Sequence, residues 1–362
     1  MASRPGRLVP IGLKKGSAWG TAAACGAGNM LLLNSEGLTG SRSREDLIDM
    51  PLGKTHPKYS VTGREAVSGA LESHLRYEGN LPRLLAAAIG SDVFTIIGAG
   101  PAYLHTMEWQ ATNMGYFWTL VNGFNTTNCL EVPSLKVGGF TLAAAKGERL
   151  SASFPCLGSI VNNNTETTTN GLAIVPVNKP STVATLTQAT GESNIVTADG
   201  SALFQLAPFA GALATYKVLN TSLVFARTIE GAYELGDASM GISEPLPSGY
   251  DTAQLTVTFD TSNADVIALL DHLIQHNKLF GKITYQGALI SGTDYYKLDI
   301  EMRHMVVNQA QTATTGPGKI GATVVFDLLG DNTTTHAGLR ASNPDGPLSL
   351  YLTNVLATSL LA

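Results

Sequence analysis

The sequence predicts a mainly β (α+β) fold in which one strand–helix–strand unit occurs twice. Several segments alternate apolar and polar residues, which is the period of a half-buried strand. Only 14% of the 362 residues are charged, against about 25% in an average soluble domain, and 38 are glycine. The same order of predicted strands and helix occurs in both halves of the chain, which favours a tandem duplication.

The clearest strand lies in the second half. Thr252–Asp260 places apolar side chains on one face and polar ones on the other. A helix is expected to begin at Ser262, which can cap it, and to end near Asn277, because apolar residues follow at helical spacing. Residues from Tyr296 and from Ile320 alternate again on either side of a Thr/Gly/Pro turn, so they predict a long hairpin.

The first half follows the same order. Val67–Tyr77 alternates as a strand, and Asn80 precedes a short helix that ends at Gly90. A Pro near the start of a helix and a Gly just past its end are typical of these positions. Three further strands are expected: Tyr116–Val121, Leu135–Ala143 and Arg149–Phe154.

These patterns divide the chain into four parts. Residues 1–161 form a first unit with an N-terminal arm, and residues 201–335 form a second unit. Between them, residues 162–200 are rich in Thr and Asn, which is typical of a linker or surface loop. Residues 336–362 are a C-terminal extension.

The charge is uneven along the chain. The net charge is −5, and residues 1–60 hold eight Lys/Arg and four Asp/Glu, a balance of +4 that leaves −9 for the rest. This acidic body argues against binding DNA by phosphate neutralisation, which needs clustered basic residues. No leader or membrane-spanning segment is indicated.

The three cysteines are odd in number and show no CxxC spacing. Cys25, Cys129 and Cys156 are therefore expected to be buried free thiols rather than disulfide partners or zinc ligands.

Candidate chemical sites are few. Gly98-Ala99-Gly100 follows an apolar run, but Pro101 comes next and no third glycine follows, so a loop is favoured over a dinucleotide site. His272 and His276 have the spacing of a metal pair but lack the glutamate of a zinc-protease helix. His105 and Glu108 are close in sequence but have no evident third ligand. No catalytic, cofactor-binding or metal-binding residue is predicted, and no cofactor is implied.

Two polar rows on predicted strands were considered as sites. They are Glu72/His74/Arg76 and Asp299/Glu301/Arg303. Such rows are more often solvated faces or cross-strand ion pairs, and between subunits they can set the register of pairing. An enzyme is the least favoured class of protein.

Several short motifs lie along residues 10–335: Lys15–Thr21, Tyr77-Glu78-Gly79, Leu84-Leu85 with Ile89-Gly90, Pro101–His105, Val132–Val137 and the succession from Leu223 to Leu329. Together they resemble the major tail tube proteins of long-tailed (siphovirus-like) bacteriophages. One difference is that Ser17-Ala18 replaces the acidic residue that often precedes Trp-Gly-Thr in that family.

The resemblance implies a β-sandwich with a flanking helix whose long strands join those of neighbouring copies. Rings of copies would stack into the hollow tail tube of the virion, assembled in the host cytoplasm, through which double-stranded DNA passes without specific binding. Implied partners are the chain itself, a tape measure protein and the proteins at the tail ends; no membrane anchoring is implied. Because two fused units replace two single-unit chains, a trimeric ring is preferred over a hexameric one.

The polar segment from Ser35 to Tyr59 is a candidate inter-ring arm. It contains Arg42, Arg44, Glu45, Asp46 and Lys54 and lacks periodicity, so it is expected to order only against an adjacent ring.

Two other functions remain open from the sequence. Another tail ring component, such as an adaptor, tail terminator or baseplate hub protein, would share the fold. A virion β-sandwich module that binds carbohydrate would instead cluster exposed aromatic residues on one face, whereas Trp19, Trp109 and Trp118 are scattered.

Overall fold

The protein is mainly β, as predicted, with antiparallel strands and one short helix in its described part. The computed structural model describes residues 9–47, 59–98, 100–124, 129–163, 177–178, 186, 194–209, 211–233, 241–260, 271–272, 275–313, 321–330, 336–340 and 345–362. Nineteen strands in these ranges belong to one hydrogen-bonded sheet, and two short strands form a separate pair.

The elements of the first half are β1 (Ile11–Lys15), β2 (Ser35–Glu36), β3 (Thr39–Leu47), β4 (Tyr59–His74), α1 (Leu81–Ile89), β5 (Val93–Ile96), β6 (Tyr103–Glu108), β7 (Trp118–Asn122), β8 (Leu130–Val137), β9 (Gly139–Ala145), β10 (Ser151–Gly158) and β11 (Asn162–Asn163).

Those of the second half are β12 (Leu203–Pro208), β13 (Ala214–Tyr216), β14 (Val218–Ala226), β15 (Ile229–Glu230), β16 (Leu246–Pro247), β17 (Thr252–Asp260), β18 (Leu279–Ser291), β19 (Asp294–Ala313), β20 (Gly321–Leu329) and β21 (Ser349–Asn354).

Eight strands form one continuous part of the sheet, in the order β3–β4–β10–β9–β14–β17–β20–β19. The predicted alternation of β17 is confirmed, because Leu255, Val257 and Phe259 are buried while the residues between them face outward. The hairpin of β19 and β20 is confirmed as well: its strands pair from His304 with Leu329 to Ala313 with Gly321.

Two further parts of the sheet join this one through its long strands. β10 continues beyond β9 to pair with β8, which leads to β7 and β1. The N-terminal part of β19 pairs with β18 on one edge and β21 on the other. β18 leads to β12 and β13, and β21 leads to β6 and β5.

The core lies where these parts face each other. Phe204 of β12 packs edge-on against Phe259 of β17, with ring centroids 5.8 Å apart. The strands of Phe204 and Phe259 lie in different parts of the sheet, so their apolar faces are buried together.

Helix α1 covers one side of this core. Pro82 lies in its first turn, where a missing N–H is harmless, and Gly90 ends it with φ = 99°, a left-handed conformation that suits glycine. Eight of its nine residues are buried, and it contacts β6, β8 and β9. The predicted helix is thus confirmed.

The second predicted helix falls almost entirely outside the described residues. Asp271 and His272 are helical, and the amide of Asn277 donates to the carbonyl oxygen of His272.

The two predicted units share their sheet, since β9 of the first pairs with β14 of the second over seven residue pairs. The predicted extension 336–362 contributes β21, which lies between β19 and β6. Most of the predicted divider, residues 162–200, lies outside the described residues. Its last described residues pack on the first half, where Val196 is buried and bonds with Leu75 and Leu150. The predicted domain boundaries stay a prediction.

The joint between β9 and β14 depends on Gly139. Its φ is 142°, and a Cβ at this position would collide with the carbonyl oxygen of Phe225. We therefore expect Gly139→Ala to lower the free energy of unfolding by about 3 kcal/mol, measured by denaturant titration. Gly147→Ala is the control, because Gly147 also has positive φ but open space around it; it should cost about 1 kcal/mol. Equal losses in both variants would contradict this account of the joint.

Candidate assembly surface

One face of the eight-stranded part of the sheet is exposed or half-buried, and we call it the polar sheet face. Its side chains alternate with the buried ones along each strand. Its described members are Thr39, Ser41, Arg64, Ala66, Ser68, Ala70, Glu72, His74, Thr141, Ala143, Ala145, Ser151, Ser153, Pro155, Leu157, Asn220, Ser222, Val224, Ala226, Thr252, Gln254, Thr256, Thr258, Gln309, Thr323, Val325, Asp327 and Leu329.

The polar sheet face carries little charge. Among its described members the ionised side chains are Arg64, Glu72 and Asp327. Ser35 Oγ donates to Glu72 over 2.7 Å, while Gln254 and Asn308 donate to Asp327 over 3.1 and 2.6 Å. The guanidinium of Arg64 lies over the ring of Tyr233, 4.7 Å from its centroid. With one Lys or Arg in this described set, the face offers few of the cations that bind phosphates.

Both ends of the eight-stranded part are free edges within the described residues. At one end, β3 pairs with β4 alone. At the other, β19 is paired on both edges up to Met305, but beyond it only the edge toward β20 is used. Unpaired strand edges invite pairing with another chain unless something covers them.

The predicted arm residues lie in β3, except Lys54, which is outside the described residues. Arg42 pairs with Glu65 on β4, with Nε 3.0 Å from the carboxylate, and the amide of Val161 donates to the same carboxylate. The backbones of Arg44, Glu45 and Asp46 continue the ladder to β4. β3 and the start of β4 thus form a two-stranded extension. Residues Thr39–Leu47 pair within the chain, so the expectation that they order only against an adjacent ring is wrong. Contact of the extension with another ring stays a prediction.

A segment that precedes β17 is clamped onto the first half. Lys136 of β8 is fully buried, and its ammonium lies 2.6 Å from Glu244. Burial lowers the pKa of Lys136, and the bond to Glu244 opposes that shift. The same carboxylate accepts from the amide of Gly115, and the indole of Trp19 donates to the carbonyl of Ile242 over 2.6 Å.

A second clamp joins the halves at Arg227. Its guanidinium lies 2.7 Å from Asp251 and also donates to the carbonyl of Gln110. Trp109 donates to the same aspartate over 2.6 Å. These buried charges are paired, as burial requires.

The row Asp299/Glu301/Arg303 is buried, and its two carboxylates are ion-paired across strands, so the solvated-face interpretation is wrong for it and the cross-strand ion-pair interpretation is confirmed. Lys282 on the neighbouring strand lies 3.3 Å from Asp299 and 3.1 Å from Glu301. Arg340 covers the row: its guanidinium lies 3.2 Å from Asp299, and its amide donates to Glu301. The other predicted row differs, because Glu72 is exposed on the polar sheet face.

His105 belongs to a buried group of hydrogen bonds that holds two segments together, rather than to a metal or catalytic site. Its Nδ1 lies 3.1 Å from Asp92 and its Nε2 lies 3.1 Å from the carbonyl oxygen of Leu356, so both ring nitrogens are engaged. Asp92 also accepts from the hydroxyl of Ser359 and the amide of Leu360. The group holds the segment after β21 against the hairpin of β5 and β6.

The other candidate sites give no chemical constellation. Gly98 and Gly100 flank the turn into β6, a strand rather than a helix, and Ala99 is outside the described residues. Within the described ranges, no group of three or more His, Cys, Asp or Glu side chains is placed to hold a metal ion, and no helix is long and apolar enough to cross a membrane.

The cysteines are free and buried, as predicted. Burial raises the pKa of Cys25 to about 12 and that of Cys129 to about 11, and it also raises the pKa of Cys156. All three thiols are therefore poor nucleophiles near neutral pH.

Comparison with known proteins gave no match: no protein-family model and no curated protein sequence matches the chain.

Sequence reasoning located most strands of this surface but not their outward face, their order or their free edges. The run of Thr and Gln at alternate positions of β17 indicated a polar face. No sequence pattern indicated that Glu244 and Lys136 pair, because the pairing depends on contact between residues 108 positions apart.

The buried carboxylate of Asp299 should make the stability of the fold depend on pH. Burial acts to raise the pKa of Asp299, but a hydrogen bond from Thr284 and the charges of Lys282 and Lys297 outweigh it, so the pKa is lowered. A carboxyl group whose pKa is lower in the folded than in the unfolded state stabilises the fold at pH values above its unfolded-state pKa. This stabilisation is lost as the pH falls through the folded-state pKa. Asp299→Asn should therefore cost about 3 kcal/mol near pH 7.

The difference between Asp299→Asn and wild type should shrink below about pH 4, where the unfolded carboxyl begins to protonate. Urea titrations at several pH values measure this difference in the free energy of unfolding. Glu148→Gln, which changes an exposed residue in a turn, is the control. A cost that does not change between pH 7 and pH 3 would contradict the charge-based origin.

Proposed function

We propose that the chain is the subunit of a phage tail tube, a structural virion protein whose copies form stacked rings around a DNA channel. The observation that carries the proposal is the polar sheet face, which continues over eight strands and ends in two free edges. Closing such a sheet through further copies removes both edges and turns the face into the wall of a channel.

A repeated order of strand pairing supports a tandem duplication. The first half pairs in the order β3–β4–β10–β9, and the second in the order β14–β17–β20–β19. The outer strands correspond too, since β1–β7–β8 matches β12–β18–β19. Each set follows the same sequence along the chain, with β5 and β6 inserted in the first and the short pair β15 and β16 inserted in the second.

The two hairpins agree in detail. Ser151 pairs with Ala143, and Gly321 pairs with Ala313, so seven residues lie between the paired positions in each. Helix α1 lies between β4 and β7, and the predicted helix from Ser262 to Asn277 lies between the corresponding β17 and β18. We interpret each set as one tail-tube β-sandwich unit with its flanking helix.

Two units per chain favour a trimeric ring. Three copies supply about 24 strands, which at a spacing of about 4.8 Å and a tilt near 40° close at a backbone diameter of about 48 Å. Six copies would double that diameter.

The character of the polar sheet face suits a DNA channel. Ser, Thr and Gln keep the face hydrated, and its two carboxylates repel phosphate. Arg64 is the one Lys or Arg among its described members, so few cations are present to retain a passing duplex. The three tryptophans fit a carbohydrate-binding surface poorly, because Trp118 is buried and Trp19 and Trp109 are half-buried. In this proposal the protein acts without catalysis or a cofactor, is assembled in the host cytoplasm, and meets a tape measure protein and the tail-end proteins.

Negative-stain electron microscopy of the purified chain tests the proposal. We expect rings with three copies and a backbone diameter of about 48 Å that stack into open-ended tubes. Single rings that never stack would favour an adaptor, terminator or baseplate hub ring. Monomers at all concentrations and salt conditions would contradict the proposed function.

Adding cations to the channel should make it retain DNA. Ser68 and Thr252 are exposed on the polar sheet face, so the double variant Ser68→Lys/Thr252→Lys should still assemble. It should bind linear duplex DNA in a salt-dependent manner, because each phosphate contact releases counterions. Filter binding between 50 and 200 mM salt (roughly the range over which such contacts weaken strongly) measures the effect. Thr293→Lys, in the exposed turn between β18 and β19, is the control and should not retain DNA.

The extension formed by β3 and β4 is expected to mediate stacking. Replacing residues 44–62 with a two-residue turn keeps the pair of Arg42 and Glu65 and should give folded rings that no longer polymerise. Sedimentation velocity separates rings from tubes, and circular dichroism checks the fold. Tubes of wild-type length would remove the arm from the stacking mechanism.

A further inference from the structure

The joint between β9 and β14 inside the chain is a template for a joint between chains. β9 is the last strand of the first pairing set and β14 the first strand of the second. They are antiparallel, with Ala143 opposite Ser222 and Thr141 opposite Val224. In the repeated order, the C-terminal part of β19 corresponds to β9, and the segment of β2 and β3 corresponds to β14. Among the described residues, these two segments have outer edges that pair with no other strand.

The hairpins and their neighbours fix which residues correspond. Ala313 corresponds to Ala143, because they pair with the equivalent residues Gly321 and Ser151. Ser151 pairs with His74, and Gly321 with Asp260, so β4 and β17 are aligned as well.

That alignment carries over to the first strand of each set. Thr256, the partner of Ser222, corresponds to Ala70. Gly37 donates its amide to the carbonyl oxygen of Ala70 over 2.9 Å, so Gly37 corresponds to Ser222.

We propose that copies join head to tail by antiparallel pairing of residues 309–313 of one chain with residues 37–41 of the next. The internal joint sets the register: Gln309 lies opposite Ser41 of the next copy, Gln311 opposite Thr39, and Ala313 opposite Gly37. The inference rests on the proposed function, and it adds the residues, direction and register of the joint.

The two segments are suited to this pairing. Neither contains a charged residue, so no like-charge repulsion opposes their approach. Thr39, Ser41 and Gln309 are exposed, whereas Leu38 and Ala310 are half-buried and pack against the core. Pairing in the proposed register places the exposed residues on the polar sheet face and continues the core on the other side.

Among the described residues, no strand pairs with the outer edge of β3. Since Gly37 directs its amide to β4, the amides of Leu38 and Gly40 point the other way. The amide of Leu38 is bound by the side chain of Glu36 over 3.3 Å rather than by a strand. A joint that uses different edges of one molecule is heterologous, and it forms a closed ring when the rotation between copies closes.

A disulfide between Gln309→Cys and Ser41→Cys tests the register. Residues directly opposite in an antiparallel ladder lie about 4.5–5.5 Å apart at Cα, within disulfide range. The three native thiols are buried, so they do not compete. Rings assembled under reducing conditions and then oxidised should give covalent trimers on denaturing gels.

The matched control is the double variant Gln309→Cys/Thr39→Cys. Its residues would be diagonal neighbours about 7–8 Å apart, so it should cross-link about tenfold less. More cross-linking in this control than in the test pair would overturn the register. Rings or tubes that form without either cross-link would overturn the joint and leave the proposed function standing, whereas absence of any rings in the wild type would overturn the function itself.

A second variant tests the edge without cysteine. Gly40→Pro removes an amide that points away from β4, so the β3–β4 ladder should keep its bonds while the free edge is blocked. A Cβ at this position lies 2.9 Å from the side chain of Val161, so Gly40→Ala, which adds the same Cβ and keeps the amide, is the matched control. We expect Gly40→Pro to be a monomer with an unfolding midpoint close to that of Gly40→Ala and to form no rings by sedimentation velocity, whereas Gly40→Ala should form rings. Normal rings from folded Gly40→Pro would contradict the proposed pairing.

Discussion

Backbone pairing between β9 and β14 is the interaction on which the rest of the structure depends. It turns two sets of strands into one eight-stranded surface. Gly139 permits it, because at φ = 142° a side chain at this position would meet the carbonyl of Phe225. Backbone ladders are directional, so this joint fixes the position of one half against the other, whereas apolar contact alone tolerates sliding.

Buried charges reinforce that placement. Lys136 pairs with Glu244 across the halves, and in this pair the cation is fully buried. Arg227 and Asp251 lie in the second half and contact the first half through the carbonyl of Gln110 and the indole of Trp109; here too the cation is fully buried. Removing one member of a buried pair leaves the other charge buried without a partner. Each pair therefore strongly disfavours alternative arrangements, even where its net contribution to stability is small. The row with Asp299 acts in the same way on the segment of Arg340.

Local patterns predicted the local structure well. The strands β17 and β20 and helix α1 were found from periodicity and from Pro82 and Gly90, because these signals lie within one element. The insertion of β21 between β6 and β19 had no such signal, since its partners lie far away in sequence. The burial of Asp299 was equally hidden, because Arg340, which covers it, comes from a distant segment. For the candidate surface, alternation identified strand faces, while the free edges emerged only from the pairing order.

Fusing two units in one chain has a physical consequence for a ring of the proposed kind. Half of the joints between units then form within a chain, so they need no association between separate molecules and lose less translational and rotational freedom. Fusion also allows the two units to differ. The segment that precedes β17 is held against the first half by Lys136, whereas β3 and the start of β4 extend as a strand pair. In a ring of the proposed kind, every second unit would carry this extension, and the units between would carry the clamp instead.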